Sequence, residues 1–107
     1  MAAGVSVYTL ESVQNDLTFS KVFTAGVDTA FISVETEQPL KDFKIEFRRR
    51  NSDGSSVLYK TLYGKTDSNF TAVLNEPITT GFPEGEYFVV LYEAGYSTKM
   101  DWCYIKN

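Results

Sequence analysis

Apolar and polar residues alternate along this chain in short runs that return about every ten residues, separated by turn-forming residues. No segment sustains the 3.6-residue spacing of an amphipathic helix. Gly4 to Leu10 reads as a first strand and Glu11 to Asp16 as a polar break. Leu17 to Thr24 reads as a second strand, or as the displaced half of an edge strand. Ala25-Gly26 turns into Val27 to Glu35, where Ala30, Ile32 and Val34 share a face, and Gln38-Pro39 marks a loop. Lys41 to Arg50 is the clearest strand: Phe43, Ile45 and Phe47 alternate with Lys44, Glu46 and Arg48, as in a half-buried antiparallel strand. Asn51-Ser52-Asp53-Gly54-Ser55 supplies the positive φ of a hairpin turn. Val57 to Tyr63 then returns, Gly64 to Asp67 turns, and Asn69 to Leu74 is a short strand. Glu76-Pro77 opens a longer connection that ends at the turn Phe82-Pro83-Glu84-Gly85. Glu86 to Glu93 and Thr98 to Lys106 form a last hairpin around Ala94-Gly95-Tyr96-Ser97. The pattern predicts an all-β chain, a single antiparallel β-sandwich of seven or eight strands spanning residues 1–107 as one domain.

The most informative run is Tyr87-Phe88-Val89-Val90-Leu91-Tyr92, apolar on both faces. Pairing it with the last strand around Gly95-Tyr96 opposes Tyr87 to Tyr104, Val89 to Trp102 and Leu91 to Met100 as one core face. The other face then carries Phe88 opposite Cys103, Val90 opposite Asp101 and Tyr92 opposite Lys99, with Ile105 nearby. Lys44, Glu46 and Arg48 extend that outer face from the neighbouring strand. A slip of one residue exchanges the faces but still leaves an apolar face outside. The expected partner-binding residues are Arg48, Phe88, Val90, Tyr92, Tyr96 and Ile105, because aromatic residues and Arg are enriched where proteins dock.

Gly85-Glu86-Tyr87-Phe88-Val89-Val90-Leu91, entered through Phe82-Pro83, resembles the penultimate strand of immunoglobulin-like and fibronectin type III-like domains. The resemblance implies that Tyr87 forms a tyrosine corner, its hydroxyl bonding to backbone upstream. The chain has no cysteine pair, and Val89 stands where those immunoglobulin domains place the second cysteine.

Composition narrows the functional classes. Hydrophobic residues make up 43% and aromatics 15%, enough for a packed core and against disorder. A net charge of −4 disfavours nucleic acid and anionic membranes as partners. There is no apolar run of about 20 residues and no leader-like start, which points to cytoplasmic synthesis or a virion location. The Asn69-Phe70-Thr71 sequon bears on an exported chain alone. The chain contains no histidine, so the commonest general base and transition-metal ligand is missing. The lone Cys103 reads as a small buried residue, and Asp53, Asp67 and Glu76 as solvated loop acids rather than calcium ligands. Arg48-Arg49-Arg50 splits between two faces by alternation. No cofactor and no metal are expected. The expected function is a non-enzymatic structural or protein-interaction module that self-associates or joins a larger assembly, such as a virion, tail or surface appendage. A carbohydrate-binding module is the first alternative, with Tyr59, Tyr63, Tyr92, Tyr96 or Trp102 as ring platforms. An inhibitor acting through the Asn51–Ser55 or Ala94–Ser97 loop is the second.

Overall fold

A computed structural model describes residues 3–9 and 21–107. The predicted break at Glu11 to Asp16, and residues 17–20 of the predicted second strand, lie outside the described residues. Among the described residues, eight strands form two packed sheets: β1 (Gly4–Thr9), β2 (Val22–Thr24), β3 (Thr29–Glu35), β4 (Asp42–Arg50), β5 (Ser56–Lys65), β6 (Thr71–Pro77), β7 (Gly85–Tyr92) and β8 (Lys99–Lys106). One sheet runs β1-β3-β6 and the other β2-β8-β7-β4-β5. The protein is a β-sandwich.

Alternation determines what each strand buries. β3 turns Ala30, Ile32 and Val34 inward, and β4 turns Phe43, Ile45 and Phe47 inward. The five-stranded sheet adds Phe23, Tyr87, Val89, Leu91, Cys103 and Ile105, while Ile78 and Phe82 enter the core from the β6–β7 connection. The Phe82 ring meets Phe47 and Tyr87 edge-on, with centroids 5.8 and 5.9 Å apart. The Tyr87 hydroxyl donates to the Pro83 carbonyl at 2.5 Å, the corner bond that the Gly-x-Tyr resemblance implies.

Two hairpins rest on glycine. Gly54 closes β4–β5 at φ 89° and Gly95 closes β7–β8 at φ 90°, where a side chain is strained. β6 runs to Pro77, three residues past its predicted end. It tolerates the proline because, among the described residues, it is an edge strand paired with β3 alone.

The structure corrects the sequence reading at two strand pairings. The sandwich is not wholly antiparallel: β2 pairs in parallel with β8, Val22 opposite Tyr104 and Phe23 opposite Ile105. β1 lies in the three-stranded sheet and β2 in the other, as the reading of an edge strand with a displaced half expects. The β7–β8 register is shifted by one: Tyr87 opposes Cys103, Phe88 opposes Trp102, Val89 opposes Asp101 and Val90 opposes Met100. The loop is centred on Gly95, with the Tyr96 amide donating to the Glu93 carbonyl at 3.1 Å, so β8 presents its other face to the core. The same shift puts Asp101 at the inner rim instead of the outer face. It accepts the Val7 amide at 2.9 Å and pairs with Lys21 at 2.5 Å, tying β8 to β1 across the sandwich.

Tyr87→Phe keeps the ring and removes one hydrogen bond. Stability is expected to fall by about 1 kcal/mol, read as a lower urea midpoint at unchanged slope. An unchanged midpoint would show that the corner bond contributes nothing net.

Candidate interaction surface

The outer face of the five-stranded sheet is built in rows across β8, β7, β4 and β5. One row runs Trp102, Phe88, Arg48, Leu58, and the next runs Met100, Val90, Glu46, Thr61. Beyond them, Tyr92 and Tyr63 flank Lys44 at one end, and Val22 sits beside Tyr104 at the other. A two-sided apolar β7 makes this arrangement unavoidable. Tyr87, Val89 and Leu91 fill the core, so Phe88, Val90 and Tyr92 must point out.

Of the residues singled out from sequence, Arg48, Phe88, Val90 and Tyr92 lie together on this face. Phe88 and Tyr92 are half-buried and Val90 is covered by its neighbours. Tyr96 stands apart in the β7–β8 loop, where its hydroxyl accepts from Gln38 at 2.8 Å. Ile105 is a correction: it is fully buried in the core, because the observed register turns Cys103 and Ile105 inward. The same shift brings out residues that the sequence reading had placed inside. Met100 is 61% exposed and Trp102 53%, and Tyr104 is exposed with them; Val22 of β2 is exposed beside Tyr104. Residue type held the missing signal. Cys and Ile are among the side chains most often fully buried and Trp seldom is, which favours the face with Cys103 and Ile105 as the inner one.

A charged cluster interrupts the apolar rows. Glu46 is 6% exposed and receives the Arg48 guanidinium at 2.7 Å and the Lys44 ammonium at 3.3 Å. Burial pushes its carboxyl up, but hydrogen bonds from Arg48, Tyr92 and Lys44 and the Arg48 charge outweigh it and hold Glu46 below its ordinary value of 4.5. The Lys44 ammonium also lies 4.6 Å from the centre of the Tyr92 ring. Arg49 points away and donates to the Glu84 carbonyl at 2.9 Å, and exposed Arg50 stands 4.0 Å from Glu86.

The remaining candidates have structural surroundings. Asp53 accepts from Ser55, and Asp67 from Asn69 and Thr71; these bonds brace two turns and lower both carboxyls. Glu76 pairs with Lys60 at 3.6 Å. Burial, reinforced by the Asp101 charge, pushes the Cys103 thiol up to about 12. Asn69 is exposed in the β5–β6 turn. Among the described residues, no group of three or more Cys, Asp or Glu is placed to hold a metal ion.

No family model matches this chain, and no curated protein matches it. Among solved structures it is similar to the crystal structure of an uncharacterized protein from Bacillus anthracis str. Ames, with a TM-score of 0.63 and 19% identity over 80% of this chain and 76% of that one. At that identity the likeness shows the shared two-sheet fold alone.

The Glu46 cluster predicts an acid-sensitive contribution to stability. A carboxyl held low in the folded state stabilises fully above its unfolded value, and that stabilisation is lost as pH falls through the lower, folded value. Glu46→Gln is therefore expected to flatten the fall in folding stability below pH 4.5 while costing stability at neutral pH. Equal acid slopes in urea melts of both proteins would remove Glu46 from the acid response.

Proposed function

We propose that this chain is an immunoglobulin-like, non-enzymatic interaction module that associates with further copies of itself through the outer face of its five-stranded sheet. The immunoglobulin-like reading is supported by the Tyr87–Pro83 corner and by the division of the first strands between the two sheets. The self-association reading is carried by one observation: Met100, Trp102, Tyr104 and Val22 form an exposed apolar band on a sheet whose opposite side is already full.

Size and charge favour a second copy as the occupant. Five strands at about 4.8 Å spacing and about 20 Å of strand give a flat face of roughly 500 Å². That is below the roughly 800 Å² per partner of a standard stable interface, and it suits a weak, reversible dimer contact. Lys44 and Arg48 bracket Glu46 on this face, so a copy docked by two-fold rotation meets both signs of charge and not a single-sign field. The gross gain from covering a few hundred Å² of apolar surface, at about 25 cal/mol per Å², is largely offset by the cost of association.

Sedimentation velocity from about 10 µM to about 1 mM spans the affinities that a contact of this size gives. The wild-type sedimentation coefficient is expected to rise with concentration. Trp102→Lys is expected to abolish the rise, and Val73→Lys, on the exposed face of the three-stranded sheet, to leave it intact. A coefficient independent of concentration in the wild type refutes self-association.

A further inference from the structure

At the end of the same sheet, next to the β7–β8 loop, lies a shallow cleft, open to solvent and lined by Asp42, Lys44, Tyr63, Tyr92, Glu93 and Tyr96. It combines exposed aromatic rings with a few polar groups. It is separate from the apolar band at Met100 and Trp102. We propose that this cleft binds a neutral oligosaccharide.

The walls come from different elements. Lys44 on β4 is opposed by Tyr63 on β5 and by Tyr92 on β7, so the two tyrosines stand about two strand spacings, roughly 10 Å, apart. Tyr63 is 75% exposed, the most open aromatic side chain among the described residues. Tyr96 closes the side nearest the loop. Its position is braced: the Glu93 carboxylate accepts the Glu37 amide at 2.8 Å and the Gln38 amide at 3.2 Å, and the Gln38 side chain donates to the Tyr96 hydroxyl. A ligand therefore meets rings on a supported frame, not on a free loop.

Charge selects the ligand class. The Lys44 ammonium already lies over the Tyr92 ring and is held there by Glu46, so that ring receives no ligand, and the open rings are those of Tyr63 and Tyr96. The Asp42 and Glu93 carboxylates at the cleft disfavour an anion. Asp42 is exposed and makes no side-chain hydrogen bond or ion pair among the described residues, which leaves both its oxygens to accept from hydroxyls. A neutral ligand with hydroxyls around its edge and C–H groups on its face matches what is open here: the Tyr63 and Tyr96 rings for the C–H face, the Asp42 carboxylate as acceptor, and ammonium and phenol donors. That ligand is a sugar chain.

The test is an amide NMR titration of the full chain with cellohexaose, xylohexaose, chitohexaose, mannohexaose and maltohexaose, each carried to about 10 mM to reach millimolar affinities. At least one sugar is expected to shift the amides of Asp42, Lys44, Tyr63 and Tyr96. Tyr63→Ala, at an exposed site that leaves the core untouched, is expected to weaken that binding at least tenfold. Trp102→Lys is expected to leave it within twofold, so the sugar site and the association face can fail independently. No shift at these amides with any of the five sugars overturns the proposal. Shifts that persist unchanged in Tyr63→Ala, or that appear with tetralysine or inositol hexaphosphate instead, also overturn it.

Discussion

The structure depends on one constraint: β7 is apolar on both sides, and a two-layer sandwich seals only one. Tyr87, Val89 and Leu91 take the sealed side and determine the rest. Their cross-strand partners must be compact enough to share the interior, and Cys103 and Asp101 meet that condition, with the Asp101 carboxylate reaching Lys21 and the β1 backbone at the rim. The bulky partners Trp102 and Met100 are then forced outward beside Phe88 and Val90. The exposed apolar band is therefore a consequence of how the core is filled.

Lys44, Glu46 and Arg48 keep this face from being uniformly apolar. An unpaired Glu46 carboxylate at this shielded position would be costly, and its two cations offset that cost with direct contacts. The long stems of Lys44 and Arg48 also lie across the sheet and help cover Tyr92 and Phe88. The edge strand β5 is managed differently. A bulge opposite Phe47 and Arg48 breaks its register, and Lys60 and Lys65 charge it, both of which hinder open-ended edge pairing. Association through the face is thus compatible with a protected edge.

Much of the fold was legible because alternation is a strong signal where one face is charged. Phe43, Ile45 and Phe47 against Lys44, Glu46 and Arg48 leave one reading, and Asp53-Gly54 announces its own turn. The β7–β8 register was not legible, because both strands are apolar on both sides and the loop between them has no two-residue turn to set the pairing. An error of one residue there cost Ile105 as a surface residue and hid Met100, Trp102 and Tyr104. The parallel pairing of β2 was equally silent, since three residues of strand carry no directional pattern. The tyrosine cleft brings β4, β5, β7 and the last loop together, and linear spacing does not encode such a meeting.

Trp102 is the chain's one tryptophan, so its fluorescence reports on the central claim without a label. The account predicts that at low protein concentration its emission is red-shifted and readily quenched by acrylamide. As concentration rises, the emission moves to the blue and quenching weakens. Blue, unquenchable emission at every dilution would place Trp102 inside the sandwich and contradict the register itself, whereas red, quenchable emission at every concentration would contradict the covering of this face by another copy.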